Sequence, residues 1–105
     1  MTLRQKQSLF VRMQARLILH AELLGYELTH GHSFRCDDCK VGKAESLHKK
    51  KLAQDWNLFK NGKYLRKTSD HEPLGIFWES IGGTWGGRFK KKDGNHYSLA
   101  YGKMK

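Results

Sequence analysis

Apolar residues recur at three- and four-residue spacings near the start of the chain. Phe10, Met13, Leu17, Ala21 and Leu24 fall on one stripe, the period of a helix that buries one face. The pattern predicts a helix over residues 3–24, with Arg4, Lys6, Arg12 and Arg16 solvated and Gly25 as its C-terminal cap. The period then changes. Tyr26-Glu27-Leu28-Thr29 predicts a short strand. Leu52 to Phe59 predicts a longer one, with Ala53, Asp55, Asn57 and Phe59 on one face. Asn61-Gly62 is a hairpin signal, and Tyr64-Leu65 begins the return strand. A polar loop, Lys67-Thr68-Ser69-Asp70-His71, leads into a second helix capped by Ser69 or Asp70, with Pro73 in its first turn. Leu74, Phe77, Trp78 and Ile81 form its apolar stripe, and Gly82-Gly83 ends it. His96 to Tyr101 predicts a closing strand, and the tail Gly102–Lys105 is expected to fray. The fold class that follows is α+β: a small antiparallel sheet with helices packed on one side.

A length of 105 residues fits one domain, 1–105, with a modest core to which a bound metal would add stability. The formal charge of +10 and a pI near 9.8 imply attraction to a polyanion. Nucleic acid and an anionic cell envelope both satisfy that, and salt weakens both attractions. There is no apolar run long enough to cross a membrane and no secretory leader pattern. The expectation is a monomer made and kept in the cytosol, without stable membrane insertion.

Two segments carry candidate chemistry. The first, Ser46 to Asp55, holds His48 and Asp55; the second, Asp93-Gly94-Asn95-His96-Tyr97, holds Asp93 and His96. A catalytic zinc site usually has three protein ligands and keeps a further position for water, and two histidines and one carboxylate satisfy that count. His48, Asp55 and His96 would be the ligands and Asp93 the general base. Residues seven apart point to opposite faces of a strand and sit roughly 10 Å apart on a helix, so the shared site requires a turn within Lys49-Lys50-Lys51. Gly94-Asn95 would similarly bend Asp93 and His96 into one cleft. Spacing alone leaves open a plainer arrangement: His48 in a solvated basic loop, Asp55 starting a strand, Asp93-Gly94 turning a hairpin. Cys36-Asp37-Asp38-Cys39 is half of a zinc-site pattern, with His30 and His32 near enough to complete it. Two reduced thiols in a loop is the alternative. Glu79, alone on its helix, reads as a solvated acid, and Trp85 as a cleft or core residue among bare glycines that would let a substrate backbone approach.

Ser46-x-His48-x6-Asp55, with Ala53 two before the aspartate, resembles the S-x-H-x-x-G-x-A-x-D motif of the zinc D-Ala-D-Ala and VanY-like peptidases (family M15). Asp93 stands three before His96, as the distal acid of that family stands before its last histidine ligand. Gly82 to Phe89 is similar to a glycine–tryptophan segment of phage endolysins that are L-alanyl-D-glutamate endopeptidases. One departure is that Lys51 occupies the motif's glycine position. The resemblance implies a Hedgehog/DD-peptidase-like fold, Zn2+ on His48, Asp55 and His96, and Asp93 as base. It also implies Arg35 as a catalytic and substrate-binding residue, and Ser46 at the substrate. The implied substrate is the peptidoglycan stem peptide, cut between L-Ala and D-Glu, with nucleic acid not a partner and release to the wall by a separate pore. A D-Ala-D-Ala carboxypeptidase of the same fold is one alternative. A basic nucleic-acid-binding protein with a Cys36/Cys39 zinc knuckle is another.

Overall fold

A computed structural model describes residues 1–31 and 47–105. Helix α1 spans Leu3–Leu23. Thr2 caps it: its hydroxyl accepts from the Gln5 amide, and the Gln5 side chain accepts from the Thr2 amide. At the far end Gly25 takes φ +85°. Its amide donates to the Glu22 carbonyl and the Tyr26 amide to the Ala21 carbonyl, the paired bonds of a glycine-terminated helix. Phe10, Met13, Leu17 and Ala21 are buried as the stripe predicts; Leu24, placed on the same stripe, is exposed because the helix has ended before it.

Strands β1 (Glu27–His30), β2 (Ala53–Lys60), β3 (Lys63–Leu65), β4 (Thr84–Trp85) and β5 (His96–Ser98) form one antiparallel sheet. β2 is its axis. Its pairing with β1 joins Leu28 to Leu58, while its other edge is shared between β3 over Leu58–Lys60 and β5 over Ala53–Asp55. β4 pairs outside β5. The β2–β3 turn has Asn61 at φ 53° and Gly62 at φ 76°, the left-handed pair that an Asn-Gly hairpin supplies.

Helix α2 spans Thr68–Ser80 and starts earlier than the sequence pattern suggests. Neither Ser69 nor Asp70 is the capping residue. Lys67 holds that position, and the Asp70 carboxylate accepts its amide from within the first turn. Pro73 consequently lies beyond the first turn. His71, expected in a loop, is a buried helical residue whose Nδ1 lies 2.8 Å from the Tyr97 hydroxyl. The two helices touch, with Phe10 edge-on to Trp78 and His20 stacked on Phe77. The core between them and the sheet contains Leu47, Leu52, Trp56, Leu58, Leu74, Trp85 and Tyr97. The closing strand is shorter than expected, and the tail is tied by paired backbone bonds between Tyr101 and Met104.

Candidate metal centre

The register of the central strand pair creates the site. Asp55 on β2 lies directly opposite His96 on β5, so both side chains leave the same face of the sheet. His48 arrives from a turn rather than a strand. The Leu52 amide donates to the Leu47 carbonyl and the Lys51 amide to the His48 carbonyl. Leu47 and Leu52 are buried on either side, fixing the ends of the turn in the core. The Gln7 side chain on α1 donates to the Lys50 carbonyl, tying the turn to the helix. The expected turn within Lys49–Lys51 is therefore present. Lys51 adopts φ 59°, the left-handed conformation for which glycine suits the family motif.

His48 Nε2 lies 3.4 Å from Asp55 Oδ1, and His96 Nδ1 lies 3.6 Å from the same oxygen. One ligand atom from each residue falls within 4.8 Å of the others. These separations are long for good hydrogen bonds. They match the roughly 3.3 Å that separates two ligands of a tetrahedral ion with metal–ligand bonds near 2 Å. All three side chains are at least nine-tenths buried. His96 Nε2 is buried with no hydrogen-bond partner among the described residues. Burial alone would raise the Asp55 carboxyl, but the imidazoles of His48 and His96 outweigh it and hold the group well below the ordinary carboxylate range. An ionised carboxylate and two imidazoles are a donor set for zinc or a similar divalent ion.

Asp93 sits in the turn before His96 and is exposed. The His96 amide donates to its carbonyl, and its own amide donates to the Gly86 carbonyl. Gly86 belongs to a short 3-10 turn, Gly86–Arg88. A Cβ there would stand 2.2 Å from the Asp93 carbonyl oxygen and 2.8 Å from the His96 Cβ. Gly31 does similar work on the other side: its amide donates to the Asp55 carbonyl, and a Cβ would come within 3.1 Å of Asp55. The sequence offered Gly86 as an opening for a substrate; here both Gly86 and Gly31 make room for the protein's own chain. Gly75, Gly83 and Gly87 likewise leave room for the Trp85 and Trp78 rings. Trp85 is core, 2% exposed, with its indole N–H on the Gly94 carbonyl. Glu79 is paired with Arg88 on the surface. His30 packs against Trp56. His32, Arg35, Cys36, Cys39 and Ser46 lie outside the described residues.

Residues 40–99 match the D-alanyl-D-alanine carboxypeptidase family, a span that takes in the His48 turn, β2, β5 and Asp93. The chain belongs to this peptidase family. No curated protein matches it. Membership and geometry agree, since M15 peptidases are metallopeptidases acting on peptidoglycan peptides and the matched span contains a cluster able to hold a metal. In this M15 peptidase, His48, Asp55 and His96 converge, and Asp93 lies in the turn that leads into His96. Phe89, whose ring stands 5.3 Å from that of His96, is a neighbour of the site that the sequence did not single out. Its only signal was its place at the end of the glycine–tryptophan segment.

Proposed function

We propose that the chain is a zinc endopeptidase of peptidoglycan, acting as a phage endolysin on the L-alanyl-D-glutamate bond of the stem peptide, with residues 1–105 as one peptidase domain. The observation that carries this reading is the convergence of His48 Nε2, Asp55 Oδ1 and His96 Nδ1 at ligand-to-ligand separations. Zinc held by these side chains would supply Lewis acidity and make water acidic near neutrality. Asp93 accepts the proton of the attacking water and returns it to the leaving amine. Arg35 sets its guanidinium against the negative charge developing on the scissile carbonyl oxygen. Ser46 is a substrate-binding residue. Asp55 stays ionised throughout, because its proton affinity is so low. The protein stays in the host cytoplasm until released to the wall.

A carboxypeptidase acting on D-Ala-D-Ala is the second reading, favoured by the description of the matching family. Digestion of peptidoglycan followed by mass spectrometry of the products separates the two. New D-Glu amino termini support the endopeptidase and free D-Ala the carboxypeptidase; neither product would overturn both. His48→Ala and His96→Ala are expected to lose the metal, whereas a Cys36→Ser/Cys39→Ser double variant keeps it. Asp93→Ala is expected to retain zinc and lose at least about a hundredfold in kcat; turnover near wild type would remove Asp93 from the mechanism.

A further inference from the structure

Lys51 is left unexplained by the fold and by the ligand set. It occupies the left-handed position that closes the His48 turn, where a glycine would carry no steric cost. Such a conformation in a residue with a Cβ, kept beside a site, points to a use for the side chain. Lys51 lines a cleft of about 200 Å³ with Phe10, Val11 and Gln14 of α1, Gln54, and the candidate ligand His48. That volume is below the range of pockets for whole drug-sized ligands and suits one residue of a peptide. Its polar lining residues are Gln14, His48, Lys51 and Gln54, and no acidic residue is among them. Lys51 is exposed and makes no ion pair among the described residues. The cleft therefore favours an anionic group next to the metal centre.

We infer that Lys51 is a specificity-determining residue: its ammonium binds a peptide carboxylate lying within one residue of the scissile amide. This rests on the peptidase reading and adds to it the charge of the preferred substrate. The carboxylate has two possible sources, the free carboxyl of an internal D-Glu and the C-terminal carboxyl of a D-Ala-D-Ala peptide. One charge-assisted hydrogen bond predicts a preference of about tenfold.

The test uses the zinc-loaded full chain and titration calorimetry with L-Ala-D-Glu and D-Ala-D-Ala peptides, each as free acid and as amide. Wild type should bind one acid about tenfold more tightly than its amide, and the peptide showing this identifies the source. Lys51→Gly should lose that preference while melting no lower than wild type; Lys51→Arg should keep it. With cleavable peptides, the Lys51→Gly loss should appear in KM for the acid and not in kcat. Equal binding of acid and amide by wild type, or equal losses on both in Lys51→Gly, would overturn the inference. If wild type shows the preference but releases nothing from peptidoglycan, the inference stands and the hydrolase reading falls.

Discussion

At Gly86 a single missing methyl group holds two chemical groups in register. The Gly86 carbonyl takes the Asp93 amide, and the absent Cβ leaves space for the Asp93 carbonyl and His96. Gly86→Ala must push the Asp93–His96 turn away from β2. The expected cost is about 2–3 kcal/mol of stability, together with weaker zinc binding, measured by denaturation and by competition with a chelator. A variant with unchanged zinc affinity would show that the turn can shift without carrying His96 along. Lys51 behaves differently. Its left-handed backbone costs about 1 kcal/mol relative to glycine, but glycine in the unfolded chain recovers roughly 0.4–1 kcal/mol of that difference as entropy. Lys51→Gly should therefore be neutral to slightly stabilising in a urea titration, and a loss above roughly 1 kcal/mol would argue that the turn is not left-handed there.

Among the elements, β2 and α2 divide the work. β2 carries Asp55 and receives β5 along the same half of its edge, so the Asp55–His96 pair is a property of strand register. α2 contributes no residue to the cluster and acts as a buttress: Trp78 donates to the Ser98 carbonyl at the end of β5, and His71 meets the Tyr97 hydroxyl. Burial pushes the His71 imidazole down to about 4, with neighbouring Asp70 opposing, and pushes the Tyr97 hydroxyl up. His71 is therefore neutral in the folded protein at pH 7. Its folded pKa lies below its unfolded value of 6.5, so the unfolded state binds the extra proton between those two values. Stability should fall as pH drops through this window, by about 2–3 kcal/mol at pH 4.5 relative to pH 7 from this residue alone. Denaturation at both pH values should show that slope in wild type, and a shallower one in His71→Gln. Equal slopes would mean His71 is solvated or charged in the fold.

Over the whole molecule, a small core and a buried candidate ligand set would make metal and stability interdependent if the cluster holds an ion. At free zinc about a hundredfold above Kd, a bound ion would add about 2.7 kcal/mol, which for a chain of this size would correspond to a melting temperature roughly 10–20 °C higher. Chelation should remove that increment and the activity together, and both should return with zinc. An unchanged melting temperature would mean that the fold does not rely on the cluster. The +10 charge is spread over exposed segments such as Lys90–Lys92 and the β2–β3 hairpin with Lys60 and Lys63. Retention on an anionic wall should consequently fall steeply with salt, whereas hydrolysis of a short soluble peptide should change little. Co-sedimentation with wall fragments across a salt series measures the first effect.

Local pattern alone determined much of this protein. The α1 stripe, the Gly25 stop, the Asn61-Gly62 hairpin and the β2 strand follow from periodicity and from residues with few backbone options, because such preferences act within a few positions. The residue types of the candidate metal cluster and their two segments were also legible, since His48, Asp55 and His96 are chemically distinctive and the fold brings them together. Tertiary structure decided what depends on distant segments meeting: the Asp55–His96 register, the packing of Gly86 against Asp93, and the burial of His71 in α2. A polar-looking run can be helical and a bare glycine can be filled by its own protein, and only the neighbours brought by the fold distinguish these outcomes.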